Sequence, residues 1–323
     1  NAIIPALLAG NTIILKHSSQ TPLCAERIVE AFTRAGVPEG VIQYLHMDHN
    51  NTELLIKSKE ISGVAFTGSV TAGEKIELAA AGRFIGVGLE LGGKDPAYVR
   101  GDADLDYAVE STVDGAFFNS GQSCCGIERI YVHESIYDEY LSKFVSLVKR
   151  YKLGRSDDPE TTLGPLVCDS AAEFVRGQIL DAMKQGAIPQ IDPYSFSLDK
   201  KGSAYMAPQV LTNVNHSMRV MNEESFGPVV GIMKVSSDEE AVSLMNDSEF
   251  GLSASIFTSD IEKAVELGDQ IETGTFFVNR CDFLDPELAW TGVKNTGRGC
   301  TLSSQGFNAF TRLKSFHIKT DIS

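Results

Sequence analysis

No run of about eighteen uninterrupted apolar residues occurs in the chain, which leaves no candidate for a membrane-spanning helix. Nor do a charged n-region, an apolar h-region and a cleavage site follow one another in the residues given. Basic charge is scarce: 28 Lys and Arg stand against 43 Asp and Glu, and the net charge of -15 repels nucleic acid and anionic membrane on average. The six cysteines, Cys24, Cys124, Cys125, Cys168, Cys281 and Cys300, contain no Cys-x-x-Cys spacing, and the six histidines form no cluster beside them. A structural zinc site and a disulfide framework are thereby disfavoured, no metal is expected, and a reducing compartment follows, the cytoplasm or the mitochondrial matrix. Gly-x-Gly-x-x-Gly is missing as well, so the ordinary dinucleotide fingerprint is absent. What is present is a chain of 323 residues, 43% hydrophobic and 22% charged, able to bury a core and long enough for about two domains. Small-molecule chemistry is the expectation.

The chain begins without Met, on Asn1-Ala2-Ile3-Ile4-Pro5-Ala6-Leu7-Leu8, which reads as the middle of an apolar helix and predicts a portion of a longer protein. Residues 12–16, β-branched and bounded by Gly10-Asn11, predict a buried strand. Thr21 as N-cap and Pro22 at the first helical position open a helix with Ala25, Ile28, Val29 and Phe32 as its stripe, and Gly36 followed by Pro38 closes it. Strands at 41–45, 63–66 and 85–91 then alternate with helices at 51–58 and 72–81. That alternation predicts a Rossmann-like parallel sheet covered on both faces. After Gly92-Gly93 come helices at 106–119, 135–151 and 170–185, strands at 229–235, 254–257 and 274–279, and helices at 238–246 and 261–270, a second α/β domain. Residues 188–203, rich in Asp, Ser, Lys and Pro, predict an exposed loop.

Three stretches carry chemistry. Gly121-Gln122-Ser123-Cys124 follows a helix end, with Arg129 five residues on; a thiol at such a junction can be activated by local dipoles, although a cysteine is more often a small buried hydrophobe. Leu89-Glu90-Leu91-Gly92-Gly93-Lys94 sets a carboxylate at a strand end before two glycines. A Glu among Leu residues is costly to bury ionised, which suits a general base, while the plain alternative is a strand-end Glu that reaches solvent. Phe66-Thr67-Gly68-Ser69-Val70-Thr71-Ala72-Gly73 is a strand, a glycine turn and a helix start, where backbone N–H groups favour an anion; by itself it is also any tight β–α turn.

Together these stretches resemble the aldehyde dehydrogenase superfamily, and the resemblance runs from Asn1 to about Lys319. Residues 89–94 match its glutamate signature, and residues 117–124 with Arg129 match its cysteine signature. Leu15-Lys16-His17-Ser18-Ser19 looks like its ribose-binding strand end and Glu224-Ser225-Phe226-Gly227-Pro228 like its nicotinamide-side element. The resemblance implies an incomplete Rossmann-like domain over 1–92, a catalytic α/β domain over 93–293, and a return segment and oligomerisation strand over 294–323, with 310–319 as that strand. It implies Cys124 as nucleophile of a thiohemiacetal and thioester, and Glu90 as the base that activates water. Lys16, Ser19, Gly68, Ser69, Gly73, Leu91, Glu224 and Phe226 are implied for NAD or NADP. Phe118, Ser123, Cys125 and Cys281 are implied for the aldehyde pocket, with Cys125 a packed side chain in preference to a disulfide partner. A homo-oligomer is implied for the complete protein, as is an oxyanion-donating Asn upstream of Asn1.

Two other readings stay open: a CoA-acylating relative, which retention of Glu90 opposes, and a truncated, non-catalytic family member. No Arg among the matched pocket positions demands a carboxylate-bearing substrate, Arg280 being the weak candidate. Ser19 stands where many NAD-preferring relatives carry Glu; Ser removes the repulsion of a 2′-phosphate and can donate a hydrogen bond. NADP is therefore expected to be tolerated alongside NAD, with a preference for NADP left open, and a much higher kcat/KM with NAD in steady-state assays would refute this.

Overall fold

The computed structural model describes residues 1–321. The chain divides into two compact units, the first made of Asn1–Glu90, Leu284–Thr291 and the residues from Arg298 onward, the second of Leu91–Phe283 and Gly292–Gly297. The division thus falls at Glu90/Leu91, and residues 284–291 belong with the first unit.

In the first unit α1 (Ile3–Leu8), β1 (Ile13–Leu15), α2 (Pro22–Arg34), β2 (Ile42–Tyr44), α3 (His49–Lys57), β3 (Gly63–Thr67), α4 (Val70–Ala80) and β4 (Gly86–Glu90) alternate. β1 pairs in parallel with β2, and β3 in parallel with β4. Pro22 occupies the first turn of α2 as expected, but the Thr21 hydroxyl makes no cap bond. At the other end Gly36 has φ 88°, and the Val37 N–H reaches back to the Phe32 carbonyl at 3.1 Å, which closes the helix. The strand predicted as buried over 12–16 is corrected: it is three residues long, paired on one side, and Ile14 is 40% exposed. A small cluster of Ile56, Ala79 and Ala80, with Val64, Ile76, Ile85 and Val87 against it, forms the packing between α3, α4 and their strands.

The second unit contains β5 (Asp95–Val99), α5 (Leu105–Phe117), β6 (Ile127–His133), α6 (Tyr137–Val148), α7 (Asp169–Lys184), β7 (Ile188–Pro189), β8 (Gln209–Thr212), α8 (Arg219–Asn222), β9 (Val229–Val235), α9 (Asp238–Asn246), β10 (Phe250–Gly251), β11 (Ser253–Phe257), α10 (Ile261–Gly268) and β12 (Thr275–Val278). Seven of these strands form one sheet in the order β12-β11-β5-β6-β9-β8-β7. Every pair is parallel except the β7 edge. Alternation along the strands divides the core between the faces. Ala97, Val99, Ile130 and Val132 pack with Tyr140 and Phe144 of α6, while Tyr98 and Tyr131 pack with Ala241 of α9 and Ala264 of α10. β5, β6 and β8 escaped the sequence reading; apart from His133 at the end of β6 they are buried throughout and show no polar alternation, and β6 includes the charged pair Glu128-Arg129.

One expectation fails in detail. Residues 188–203 are no simple exposed loop: Ile191 and Phe196 are buried, and Asp199 receives the Arg176 guanidinium at 2.6 Å. Residues 311–320 form no strand, and Leu313, Phe316 and Ile318 are exposed. A strand needs a neighbouring backbone to hydrogen-bond, and a single chain supplies none here.

Arg129 is 1% exposed and donates to the carbonyls of Lys94, Leu244 and Met245 at 2.8, 3.0 and 3.1 Å, which ties β6 to the start of β5 and the end of α9. Arg129→Leu would strand these buried acceptors, each unmade bond costing about 1–3 kcal/mol. The urea midpoint is expected to fall by an amount equivalent to about 3 kcal/mol or more. A midpoint equal to that of the parent would mean that the carbonyls find other partners.

Candidate active site

Three stretches singled out in the sequence lead directly into three strands that lie side by side. Residues 92–94 enter β5, residues 121–126 enter β6 and residues 224–228 enter β9, and β5, β6 and β9 are adjacent in the sheet. The stretches are therefore brought together at the amino ends of these strands, although about 130 residues separate the first from the last.

Backbone contact at Gly92 and Gly93 makes the meeting possible. A methyl at Gly92 would collide with the Glu224 carboxylate, and one at Gly93 with the Cys124 carbonyl. The Gly93 N–H donates to Glu224 Oε1 at 3.0 Å. Gly121, at φ 74°, packs against the Gly227 carbonyl so closely that no side chain fits. The two residues before it, Asn119 and Ser120, are also left-handed, with φ 49° and 59°, a conformation that costs roughly 1–2 kcal/mol at a non-glycine residue. Their neighbours oppose this cost. Asn119 Nδ2 donates to the Gln122 carbonyl at 3.0 Å, Ser120 Oγ to the Gly164 carbonyl at 2.8 Å, and Gln122 Oε1 accepts from the Val167 N–H at 2.7 Å.

Cys124 is half-buried, between Ser123, also half-buried, and the buried Cys125. The Cys125 thiol is pushed far above the ordinary thiol range, first by its hydrogen bond with Cys124, then by burial, then by Asp282. It remains protonated beside the candidate nucleophile. Cys281 immediately precedes Asp282: its Sγ donates to the Ser111 carbonyl at 3.2 Å and lies where a methyl on Gly115 would collide with it, and burial raises the thiol to about 12. Its contacts are with helix α5. Phe118 is 58% exposed at the end of that helix, and Phe226, with φ 51°, is 43% exposed. Leu91 is buried, its N–H bound to the Thr296 carbonyl at 2.9 Å.

Sequence reasoning missed the groups that hold these stretches in place. Glu128 accepts from the N–H groups of Ser225 at 2.8 Å and Phe226 at 2.9 Å and pairs with Lys94, whose Nζ also meets Ser225 Oγ at 3.1 Å. Lys94 is wholly buried, and burial lowers its pKa. A Glu-Arg pair inside Ile127-Glu128-Arg129-Ile130-Tyr131-Val132 was the available signal: charges in a run otherwise fit for a buried strand must have buried partners.

In the first unit the expected residues lie at the carboxyl ends of parallel strands, where ligands of open α/β sheets are commonly held. Lys16 and Ser19 follow β1, Gly68 and Ser69 follow β3, and Glu90 ends β4. Ser69 caps α4, accepting from the Ala72 N–H at 3.3 Å, and the buried Gly73 lies in that helix's first turn. Glu90 is half-buried and accepts from Thr301 Oγ1 at 2.8 Å. Among the described residues no cluster of three or more potential metal ligands occurs, and no helix is long and apolar enough to cross a membrane.

A family model described as "Aldehyde dehydrogenase family" matches residues 1–316. The chain belongs to the aldehyde dehydrogenase family. It is 38% identical to an aldehyde dehydrogenase of Paenarthrobacter nicotinovorans, over 96% of this chain and 67% of that protein. It is 35% identical to succinate-semialdehyde dehydrogenase [NADP(+)] 1 of Mycobacterium bovis, over 97% of this chain and 68% of that protein. Among solved structures, betaine aldehyde dehydrogenase of Staphylococcus aureus in complex with NAD+ superposes with a TM-score of 0.88 at 32% identity, over 95% of this chain and 61% of that one. The chain thus spans roughly two thirds of these aldehyde dehydrogenases.

Burial raises the Glu224 carboxyl from 4.5 to about 7; the Glu128 carboxylate adds to the rise, and the Gly93 N–H and Lys94 oppose it. Between those values the folded chain retains a proton that the unfolded chain has lost, so this group's contribution to stability falls as pH rises through 7. Glu224→Gln is expected to gain thermal stability relative to the parent as pH goes from 5 to 8. A melting-temperature difference independent of pH would contradict this.

Proposed function

We propose that the protein oxidises an aldehyde to the carboxylic acid with NAD+ or NADP+ through a thioester on Cys124. The observation that carries this reading is the convergence, ahead of β5, β6 and β9, of the Cys124 loop, the Gly92-Gly93 turn and the Glu224 carboxylate. Both halves of the dinucleotide find fitting residues. The amino end of α4, after Gly68 and Ser69, suits a pyrophosphate, and Lys16 and Ser19 at the end of β1 suit the adenosine ribose. The buried Gly73 lies in the first turn of α4 beside that end, and Leu91, Glu224 and Phe226 serve the nicotinamide end. The relatives' names include NADP+, and a solved neighbour holds NAD+.

The Cys124 thiolate adds to the aldehyde carbon, forming a C–S bond as the carbonyl electron pair moves onto oxygen. Collapse of that oxyanion expels the former aldehyde hydrogen as hydride and leaves the thioester. When bound, the nicotinamide supplies the hydride acceptor. Glu90 takes a proton from water, the hydroxyl adds to the acyl carbon, and the C–S bond breaks to release the acid and the thiolate. Ser123 and Cys125 flank the nucleophile in the chain and, with Phe118 at the end of α5, shape the aldehyde's surroundings, while Cys281, after β12, packs against α5 behind them. Leu313, Phe316 and Ile318 are exposed in an extended, unpaired segment, which suits a strand supplied to a second copy of the protein.

In the purified full-length protein, Cys124→Ala should abolish NAD(P)H formation. Glu90→Gln should leave a burst of about one equivalent per site followed by slow turnover, without need of CoA. Substantial steady-state oxidation by Cys124→Ala would sink the mechanism, and strict dependence on CoA would reassign the acyl acceptor.

A further inference from the structure

The loop after β12 sets a carboxylate against both neighbours of the candidate nucleophile. Asp282 takes φ 43°, a left-handed conformation that Asp tolerates better than most residues. Its Oδ1 accepts from the Cys125 thiol at 2.8 Å and from the Ser123 hydroxyl at 3.3 Å. These two residues flank Cys124, so the charge stands next to the reacting centre and is only half-exposed. The arginine of the same loop is directed elsewhere: the Arg280 guanidinium lies over the Phe283 ring, 3.4 Å from its centroid. Of Arg280 and Asp282, the negative group is the one turned toward the candidate nucleophile's neighbours.

We infer that Asp282 makes the aldehyde site select against substrates that carry a carboxylate, and that neutral and cationic aldehydes are the preferred class. The inference rests on the aldehyde-oxidising reading above. A carboxylate tail entering a partly dehydrated site meets Asp282 at an effective dielectric well below that of water, where like charges repel more strongly than on an open surface. A quaternary ammonium tail meets attraction at the same place, and a neutral tail neither. The specificity expected here thus differs from that of the relative named for succinate semialdehyde.

The test compares kcat/KM for three aldehydes of similar length, butanal, 4-oxobutanoate and 4-(trimethylammonio)butanal, in the full-length protein and in Asp282→Asn, which keeps an acceptor for Ser123 and Cys125. The parent is expected to favour butanal and the cationic aldehyde over 4-oxobutanoate by about tenfold or more, the size of one partly screened like-charge contact. Asp282→Asn should raise 4-oxobutanoate relative to butanal by at least about fivefold and lower the cationic aldehyde. In the parent alone, added salt should narrow the spread, which keeps the inference testable should the variant fold poorly. Equal use of butanal and 4-oxobutanoate by the parent, a spread insensitive to salt, or a uniform change across all three aldehydes in the variant would overturn it. If butanal is oxidised by the Cys124 chemistry and charge makes no difference, only this inference falls. If none of the three is oxidised, the aldehyde-oxidising reading falls with it.

Discussion

A charged pair sealed inside the second unit holds the candidate site in shape. Lys94 follows the Gly92-Gly93 turn, Glu128 lies near the start of β6, and their ion pair also takes in the backbone of Ser225 and Phe226. Removing two charges from water costs several kcal/mol per ion, so such a pair persists only where its remaining hydrogen-bonding capacity is met. Here it is met by backbone N–H groups of the loop that presents Glu224, and by the Ser225 hydroxyl. One arrangement therefore positions three stretches, and loss of either charge would leave the other buried without its partner.

Strand order does the rest. Because β5, β6 and β9 are neighbours, the segments that precede them must approach one another, and the small size of Gly92, Gly93 and Gly121 decides how closely. The left-handed residues Asn119 and Ser120 turn the chain sharply from helix α5 into the cysteine loop. Such conformations persist where surroundings over-determine them, and the Gln122 and Ser120 bonds to residues 164–167 are those surroundings. The Cys124 loop is thus braced by the chain around it.

Much of this was legible in the chain because the signals were local. Gly36 ends α2, strand 229–235 and helix 238–246 were read with the bounds observed, and α4 begins two residues before the 72 expected. The cysteine, glutamate and glycine-turn motifs marked Cys124, Glu90 and Gly68-Ser69. Less legible were β5, β6 and β8, whose burial on both faces removes the alternation that betrays a half-exposed strand. The buried side of residues 188–203 was hidden for a related reason: polar composition masks Ile191 and Phe196, which contribute to the core only through contacts distant in sequence.

The sequence by itself determined the family, the positions of the Cys124, Glu90 and Gly68-Ser69 motifs, and the alternation of strands and helices, since all of these are written in neighbouring residues. Only the tertiary structure decided which motifs meet. It showed Glu224 against Gly92 and Gly93, Cys281 against helix α5, and Asp282 beside Ser123 and Cys125. The physical reason is that these are contacts between segments up to about 160 residues apart, set by strand order and by the burial of Lys94, Glu128 and Arg129. No local pattern encodes such distances.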